Sequence, residues 1–405
     1  MKYFLVGIKG TGMSALACYL YDMGHTVIGS DSGDYEFNDE LRKRNVNVYE
    51  FNTYLMNDEF IYIIGNAYDE QFIEVKNIIN NKYKYYYYHE FISTIKTFSI
   101  AVSGTHGKTT TTKFLTDLLS NEPISYIIGD GTGKGNKNNI YFIYEACEYK
   151  EHFLSYKPDI LLITNIDYDH PDYYKDLKQV KDSFEKIKSN SNKVITIDPY
   201  EFQILKENEC GFLVKFEDEI YIFPIPGIKY LEDYLLCVKT LKYLGYSYEY
   251  IKEATSNIKL PKRRTTETVI NNTIIIEDFA HHPNEIKALY SYIKQKYPNY
   301  KTTCFFQPHT YSRTFAFYKE FIKALKLFDE VYIDKVYTSK REHFDLIKEY
   351  KALLLFSMYK RYNQETIKDI NLNINQIIIL LGAGDINRRF KNLWKYFHDD
   401  LKKKY

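Results

Sequence analysis

A lysine and a threonine side by side behind a glycine turn carry the clearest chemical signal in the chain. Residues 103–112 read Ser-Gly-Thr-His-Gly-Lys-Thr-Thr-Thr-Thr, between an apolar run at 98–102 and a helix-compatible stretch at 113–119. A strand, a glycine turn and a helix start present backbone N–H groups and the positive end of a helix dipole, a setting that holds phosphate. Gly104 and Gly107 let the backbone close on an anion without Cβ clashes. Lys108 can set its ammonium against β- and γ-phosphates, and Thr109 can offer a hydroxyl to Mg²⁺. The first glycine lies three residues before Gly107, where the general phosphate loop has five. A polar helix N-cap with a chance Gly-Lys-Thr is the bland alternative, and the flanking strand and helix argue against it.

Other reactive side chains also follow short apolar runs. Glu145 follows 140–144, and His170 closes Thr164-Asn-Ile-Asp-Tyr-Asp-His170 after 160–163. In a parallel sheet such strand ends share one edge, so Lys108, Glu145 and His170 are expected to meet. Glu145 suits a Mg²⁺ ion bridged to phosphate oxygens, and His170, a softer ligand, suits a second metal. Glu148, Asp167 and Asp169 read as solvated loop charge. Further on, Asp278-Phe-Ala-His-His-Pro283 follows a strand at 274–277, and Gln307-Pro-His-Thr-Tyr-Ser-Arg-Thr314 follows one at 303–306. His281, His282, His309 and Arg313 form a cluster fit for an anionic substrate. Arg263 and Arg264, in a cationic linker, can reach phosphate bidentately.

A second glycine turn opens the chain. A strand at 3–6 runs into Gly7-Ile-Lys-Gly-Thr-Gly-Met-Ser14 and a helix to 23; a strand at 27–29 ends at Ser30-Asp31. Turn, helix, strand and acid form a dinucleotide-fold opening, with Asp31 placed for a ribose hydroxyl. The spacing is Gly-x-x-Gly-x-Gly, so a nicotinamide-dependent oxidoreductase is not favoured, and a second phosphate loop has no role in one.

The elements that carry these residues alternate strand and helix throughout. They divide into three α/β domains, 1–96, 97–262 and 263–405, each with a mostly parallel doubly wound sheet: Rossmann-like, P-loop ATPase-like and Rossmann-like. Helices are expected at 89–95, 231–244, 248–258 and 284–296, and strands at 60–64, 193–197, 220–225, 330–333 and 377–381. With 405 residues the chain exceeds one ordinary core. Charge is balanced, 54 Lys+Arg against 53 Asp+Glu, which argues against a nucleic-acid binder. Five scattered cysteines suggest neither a disulfide scaffold nor a zinc site. No apolar run reaches the roughly 18 residues that span a bilayer, and the first strand leaves no room for a signal peptide. A cytoplasmic protein without a membrane partner, monomeric or weakly dimeric, is expected. The Tyr85–Tyr88 run reads as compositional bias.

Taken in order, these motifs resemble the Mur ligases, the ATP-dependent amino-acid ligases of peptidoglycan synthesis, and among them the branch that joins L-alanine to UDP-N-acetylmuramate. Glu-Ala-Cys-Glu-Tyr-Lys-Glu-His-Phe-Leu (145–154) and the motifs ending at His170, Pro283 and Thr314 are specific, and the likeness runs from Gly7 to Gly382-Ala-Gly-Asp-Ile386. The resemblance implies domains for UDP-sugar, ATP and amino acid. It places the UDP-sugar on Gly7, Gly10, Thr11, Gly12, Met13, Ser14 and Asp31. It places ATP on Gly104, Thr105, His106, Gly107, Lys108, Thr109, Thr110, Arg263 and Asp278. Thr109, Glu145 and His170 are similar to the family's Mg²⁺ ligands, and His281, His309 and Arg313 match positions around the alanine. Lys108, His281 and Arg313 would carry catalysis. The chain departs from the pattern at Lys229-Tyr-Leu-Glu-Asp233, where the family has a His-Asn-type adenine motif, and at Thr265, where an aromatic residue often follows the arginines. A related ligase that adds a preformed peptide, and a catalytically lapsed sugar-nucleotide binder, are the alternatives.

Overall fold

The computed structural model describes residues 1–32, 39–338, 342–363, 370 and 374–397; the end of the third expected domain, 398–405, lies outside them. Strands β1 (Lys2–Val6), β2 (Thr26–Ser30), β3 (Asn47–Tyr49), β4 (Ile61–Ile64) and β5 (Tyr85–Tyr87) form a parallel sheet in the order β3-β2-β1-β4-β5. Helices α1 (Thr11–Asp22), α2 (Asp39–Lys43) and α3 (Ile73–Asn80) lie between them in the chain, and α4 (Tyr88–Ser93) follows β5. Strand order reverses between β1 and β4, so the glycine turn before α1 opens at a switch point, where such sheets bind ligands. The tyrosine run supplies the half-buried edge strand β5.

The second sheet takes β6 (Ser99–Ser103), β7 (Ile124–Ile127), β8 (Gly133–Lys134), β9 (Tyr141–Glu145), β10 (Ile160–Ile163) and β11 (Lys193–Thr196) in the order β11-β10-β6-β9-β7-β8. Only β8 is antiparallel. Its helices are α5 (Lys108–Leu118) and α6 (Leu177–Ser189). An antiparallel meander follows, β12 (Phe202–Asn208), β13 (Gly211–Phe216) and β14 (Glu219–Phe223), of which sequence reading found only the last strand. Its alternating inner residues Phe212, Val214, Phe216, Tyr221 and Phe223 join Phe114 and Leu115 of α5 in one core. Helices α7 (Ile228–Tyr243) and α8 (Tyr248–Ala254) close this unit; the helix expected to reach 258 gives way to a 3₁₀ turn at Thr255–Asn257.

The last sheet takes β15 (Thr266–Ile270), β16 (Thr273–Asp278), β17 (Lys301–Phe306), β18 (Glu330–Ile333), β19 (Lys360–Arg361) and β20 (Gln376–Leu381) in the order β15-β16-β20-β17-β18-β19, with only β15 antiparallel. Helices α9 (Pro283–Lys296), α10 (Tyr311–Ala316), α11 (Tyr318–Leu325), α12 (Leu346–Leu355) and α13 (Ile386–Phe397) flank it. From Ile377 to Leu381 the central strand β20 is an uninterrupted apolar run, as a strand buried on both faces requires.

Two contacts fix how the sheets face one another. Ala15 and Tyr19 of α1 share a core with Phe142, Tyr144 and Phe153 of the second unit. There a Cβ on Gly133 would stand 1.9 Å from the Ala15 carbonyl oxygen, so β8 meets α1 backbone to backbone. Arg44 ties the seam, with Nε and Nη2 donating to the Asp22 carboxylate at 2.9 Å and Nη2 to the Gly133 carbonyl. Among the described residues no helix is long and apolar enough to cross a membrane.

Candidate active site

The loop between β6 and α5 is held by the end of β10. Asn165 accepts from the His106 N–H at 3.0 Å and donates to the His106 carbonyl at 2.9 Å, and its own carbonyl takes the Thr105 N–H at 3.1 Å. Gly104 and Gly107 have φ of 137° and 84°; a Cβ at Gly104 would stand 2.0 Å from Thr164 Oγ1. Helix α5 has no side-chain cap, so the N–H groups of its first turn stay open to an anion. Lys108 Nζ donates to the Gly104 carbonyl, the Thr105 carbonyl at 3.1 Å and Glu148 Oε2 at 2.9 Å. These use all three donors of the ammonium, so a bound triphosphate must displace one of them.

Thr109 Oγ1 donates to Glu145 Oε2 at 3.2 Å, and Glu145 Oε1 takes the Gly129 N–H. Burial raises the Glu145 pKa, against the pull of the Gly129 N–H and of Lys108. A Cβ on Gly129 would lie 2.6 Å from Glu145 Oε2, so only glycine leaves the carboxylate room. A half-buried carboxylate and a hydroxyl are the kind of oxygen donors Mg²⁺ takes.

Glu148, expected to be solvated, is 1% exposed. Burial raises its pKa, but Lys108 and His170 outweigh that and hold the carboxyl at about 2. Its Oε1 stands 3.5 Å from His170 Nε2. Asp169, also expected in solvent, is 6% exposed and meets the Arg313 fork, Nε to Oδ1 at 2.9 Å and Nη2 to Oδ2 at 3.0 Å. His170 Nε2 lies 3.9 Å from Asp169 Oδ2, and Arg313 Nη1 meets His309 Nδ1 at 3.0 Å. One file of contacts thus runs Lys108–Glu148–His170–Asp169–Arg313–His309, from the phosphate loop into the last domain. Both acids were misread because their cations come from other strands. Asp167, the third acid read as solvated, accepts from Asn284 Nδ2 and stands 3.5 Å from His106 Nε2. The His106 ring lies between Asp167 and Glu285; burial lowers its pKa, yet the two carboxylates raise it to about 9.

His281 Nδ1 faces the Phe279 carbonyl at 2.9 Å and so carries the ring proton, which leaves Nε2 an acceptor. Burial lowers its pKa to about 3, so the ring is neutral and a weak base. Asp278 takes the Thr265 and Ala280 N–H groups at 2.8 and 2.7 Å. His170, Arg263, Thr265 and Thr310 all have left-handed backbone, φ of 54°, 60°, 46° and 63°, a conformation that costs β-branched threonine most and gathers at functional sites.

A cavity of about 500 Å³ lies beside the phosphate loop, walled by Gly107, Tyr230, Asp233, Arg264, Asp278 and Glu285. Arg264 lines it, whereas Arg263, named from the sequence, stacks on Phe279 at 4.8 Å and donates to the Gly384 carbonyl at 3.1 Å. Both guanidiniums lie over the Phe279 ring, Arg264 at 5.6 Å, and sequence alone offers no rule for which one lines the cavity. Thr265, where an aromatic residue was expected, pairs its hydroxyl with that of Tyr230 at 2.6 Å. Burial pushes the pKa of the Asp233 carboxyl up.

At the chain's start Gly7 has φ 79°, and a Cβ there would overlap Tyr68. Helix α1 has no side-chain cap, so the N–H groups of Thr11, Gly12 and Met13 remain open, while the Ser14 N–H bonds the Gly10 carbonyl. Met13 and Ser14 are 5% and 0% exposed, so their side chains serve the core. Asp31 takes the Lys9 N–H at 2.8 Å and so ties the turn to the end of β2.

Two family models match the chain: the Mur ligase family catalytic domain over residues 2–98 and the Mur ligase middle domain over 102–217. The UDP-N-acetylmuramate–L-alanine ligase of Ligilactobacillus salivarius (strain UCC118) is 34% identical over 436 residues, covering 98% of this chain and 97% of its own. The chain belongs to the Mur ligase family. Its fold is that of the UDP-N-acetylmuramate-alanine ligase of Thermotoga maritima, with a TM-score of 0.81 at 24% identity over 99% of this chain and 100% of that one. A murein peptide ligase from Psychrobacter arcticus 273-4 superposes with a TM-score of 0.69 at 20% identity, over 97% and 98%. In this Mur ligase, Lys108, Thr109, Glu145 and His170 come to one edge of the second sheet. Glu148 and Asp169 are the site residues that sequence reading passed over, and of the arginine pair that it named, Arg264 is the one that lines the cavity. The single available signal was Glu148's place in the Glu145–Leu154 motif.

Proposed function

We propose that this Mur ligase joins L-alanine to the carboxylate of UDP-N-acetylmuramate at the expense of ATP, in peptidoglycan precursor synthesis. The observation that carries the reading is the file of contacts from Lys108 to His309, which sets a triphosphate loop and an arginine–histidine cluster on one cleft. The 34% identity to a ligase of that name supports it. A carboxylate is a poor electrophile, so it first takes the γ-phosphoryl group as an acyl phosphate. Thr109 and Glu145, with His170 for a second ion, would hold Mg²⁺, which offsets charge on the transferring phosphoryl group when bound. Lys108 exchanges Glu148 for phosphate oxygens and stabilises the same charge.

The alanine amine then attacks the acyl carbon and phosphate leaves. Of the five guanidinium N–H groups, Arg313 commits two to Asp169 and one to His309. The remaining two receive the alanine carboxylate. His281 Nε2 accepts a hydrogen bond from the amine and aims it, positioning that supplies several kcal/mol. The open N–H groups of α1, with Gly7, Gly10 and Asp31, hold the UDP-sugar. The cavity beside Gly107 takes the ATP nucleoside, with Arg264 and Asp278 on its wall.

The test is phosphate release with UDP-N-acetylmuramate and ATP across alanine, glycine, serine and a tripeptide, in wild type and Arg313→Ala. Alanine is expected to support the fastest turnover, and the variant to raise the alanine KM by about tenfold or more. Preference for the tripeptide, or an unchanged alanine KM in the variant, would refute the corresponding part.

A further inference from the structure

Three side chains beside the phosphate loop converge on a point to which the ligation steps above assign no group, with His106 and Asp167 also on the wall of the cavity given to the nucleoside. His106 belongs to the loop, Asp167 follows β10, and His282 caps α9. One ligating atom from each lies within 4.8 Å of the others. Among the described residues, neither Nε2 of His106 nor Nε2 of His282, both buried, has a hydrogen-bond partner, and His282 is 3% exposed. The rings are 4.5 Å apart, and Asp167 Oδ2 stands 3.5 Å from His106 Nε2.

Two imidazole nitrogens and one carboxylate oxygen are the donors of a zinc-class site with its fourth position open to water. They are a poor match for Mg²⁺, which prefers oxygen. Drawing the ligands in by about 1 Å brings them to tetrahedral spacing around such an ion. The groups that orient metal ligands are also present. Glu285 Oε1 stands 3.5 Å from His106 Nδ1, and Asn284 Nδ2 donates to Asp167 Oδ2. His282 Nδ1 accepts only a 3.3 Å bond from the Asn284 N–H. Ligation through Nε2 moves the ring proton to Nδ1 and gives up that bond. Glu285 still caps α9 through the His281 and His282 N–H groups at 3.0 and 3.3 Å.

We propose that His106, Asp167 and His282 bind a zinc-class divalent cation, separate from the nucleotide's Mg²⁺, and that the ion pins the last domain to the phosphate loop and stops turnover. Binding releases the proton that His106 carries. The inhibition rests on the ligase reading; the binding does not.

The test uses the full-length protein at saturating Mg²⁺. Zn²⁺ is titrated calorimetrically, and Co²⁺ by its visible absorption, without substrates. One equivalent is expected to bind with Kd on the order of 10 μM or tighter, with the intense bands of four-coordinate Co²⁺. His282→Asn keeps a capping side chain but offers no Nε2, and is expected to bind at least about tenfold more weakly, as is Asp167→Asn. Circular dichroism checks that both variants fold. Zn²⁺ should suppress phosphate release in wild type at concentrations that leave the rate of His282→Asn unaltered. Unchanged affinity in both folded variants, or no binding below about 100 μM, overturns the site and leaves the trio an imidazolium–carboxylate contact between domains. Binding with undiminished turnover overturns the pinning. Co²⁺ binding in a protein that never releases phosphate with alanine faults the ligase reading alone.

Discussion

Lys108→Ala separates what the lysine does for catalysis from what it does for the fold. The ammonium and Glu148 are 2.9 Å apart, with side chains 16% and 2% exposed. At an effective dielectric of about 20, that separation corresponds to an attraction of about 6 kcal/mol before desolvation is counted. Removing the lysine leaves a buried carboxylate, and the loss is bounded by what Glu148 can do instead. Neutralising a carboxyl of ordinary pKa 4.5 at pH 7 costs about 2.5 × 1.36, or roughly 3.4 kcal/mol. A destabilisation of about 3 kcal/mol is expected, in line with other broken buried pairs. Adding Glu148→Gln removes the stranded charge and should restore about 2 kcal/mol of it. Turnover should behave differently. The single variant should lose at least about 10³-fold in alanine-dependent phosphate release, and the double variant should recover none of it. UDP-sugar binding, some distance away on α1, should stay near wild type in both. Denaturant melts, phosphate release and sugar-nucleotide titration read the three quantities. A double variant no more stable than the single one would refute the pairing argument, and turnover within tenfold of wild type in either would refute the role of Lys108.

Stability should also fall at alkaline pH through His106. Its folded pKa is about 9 against an ordinary value of 6.5, so the imidazolium contributes fully below 6.5, and that contribution is lost as pH rises through 9. The shift bounds the loss at about 3 kcal/mol; urea melts at pH 6.5 and 9.5 should differ accordingly in wild type and much less in His106→Asn. At the acid end Glu148, held at about 2 against 4.5, contributes above 4.5 and loses that contribution as pH falls toward 2. The acid limb of the stability profile should flatten in Glu148→Gln. Gly129→Ala puts a methyl against the Glu145 carboxylate and should raise the Mg²⁺ needed for half-maximal phosphate release about tenfold or more while leaving the melting profile near wild type. An unchanged Mg²⁺ requirement would remove Glu145 from the metal site.

What could be read along the chain was whatever local pattern dictates. Gly104, Gly107 and Lys108 announce an anion-binding turn because glycine spacing and the strand before it are matters of neighbouring residues. The alternation of apolar runs and helices announces parallel sheets, and parallel sheets bring strand ends together, which is why Lys108, Glu145 and His170 could be named as a group. Strands β12 and β13 of the meander escaped: β12 is exposed and carries Lys206 and Glu207, and β13 breaks its apolar run only at Lys215, so neither alternates clearly.

Tertiary structure alone decided which charges meet. Glu148 and Asp169 look like any loop acids until Lys108 and Arg313 arrive from residues 40 and 144 positions away. Arg263 and Arg264 are indistinguishable as a pair; both lie over Phe279, and only the fold decides that Arg264 lines the cavity while Arg263 reaches the Gly384 carbonyl. His106, Asp167 and His282 become one site only where two domains touch. Local sequence sets the conformation of a turn and the face of a strand; the partner of a buried charge is set by the chain's return through space, since an ion pair depends on distance and burial and not on separation along the backbone.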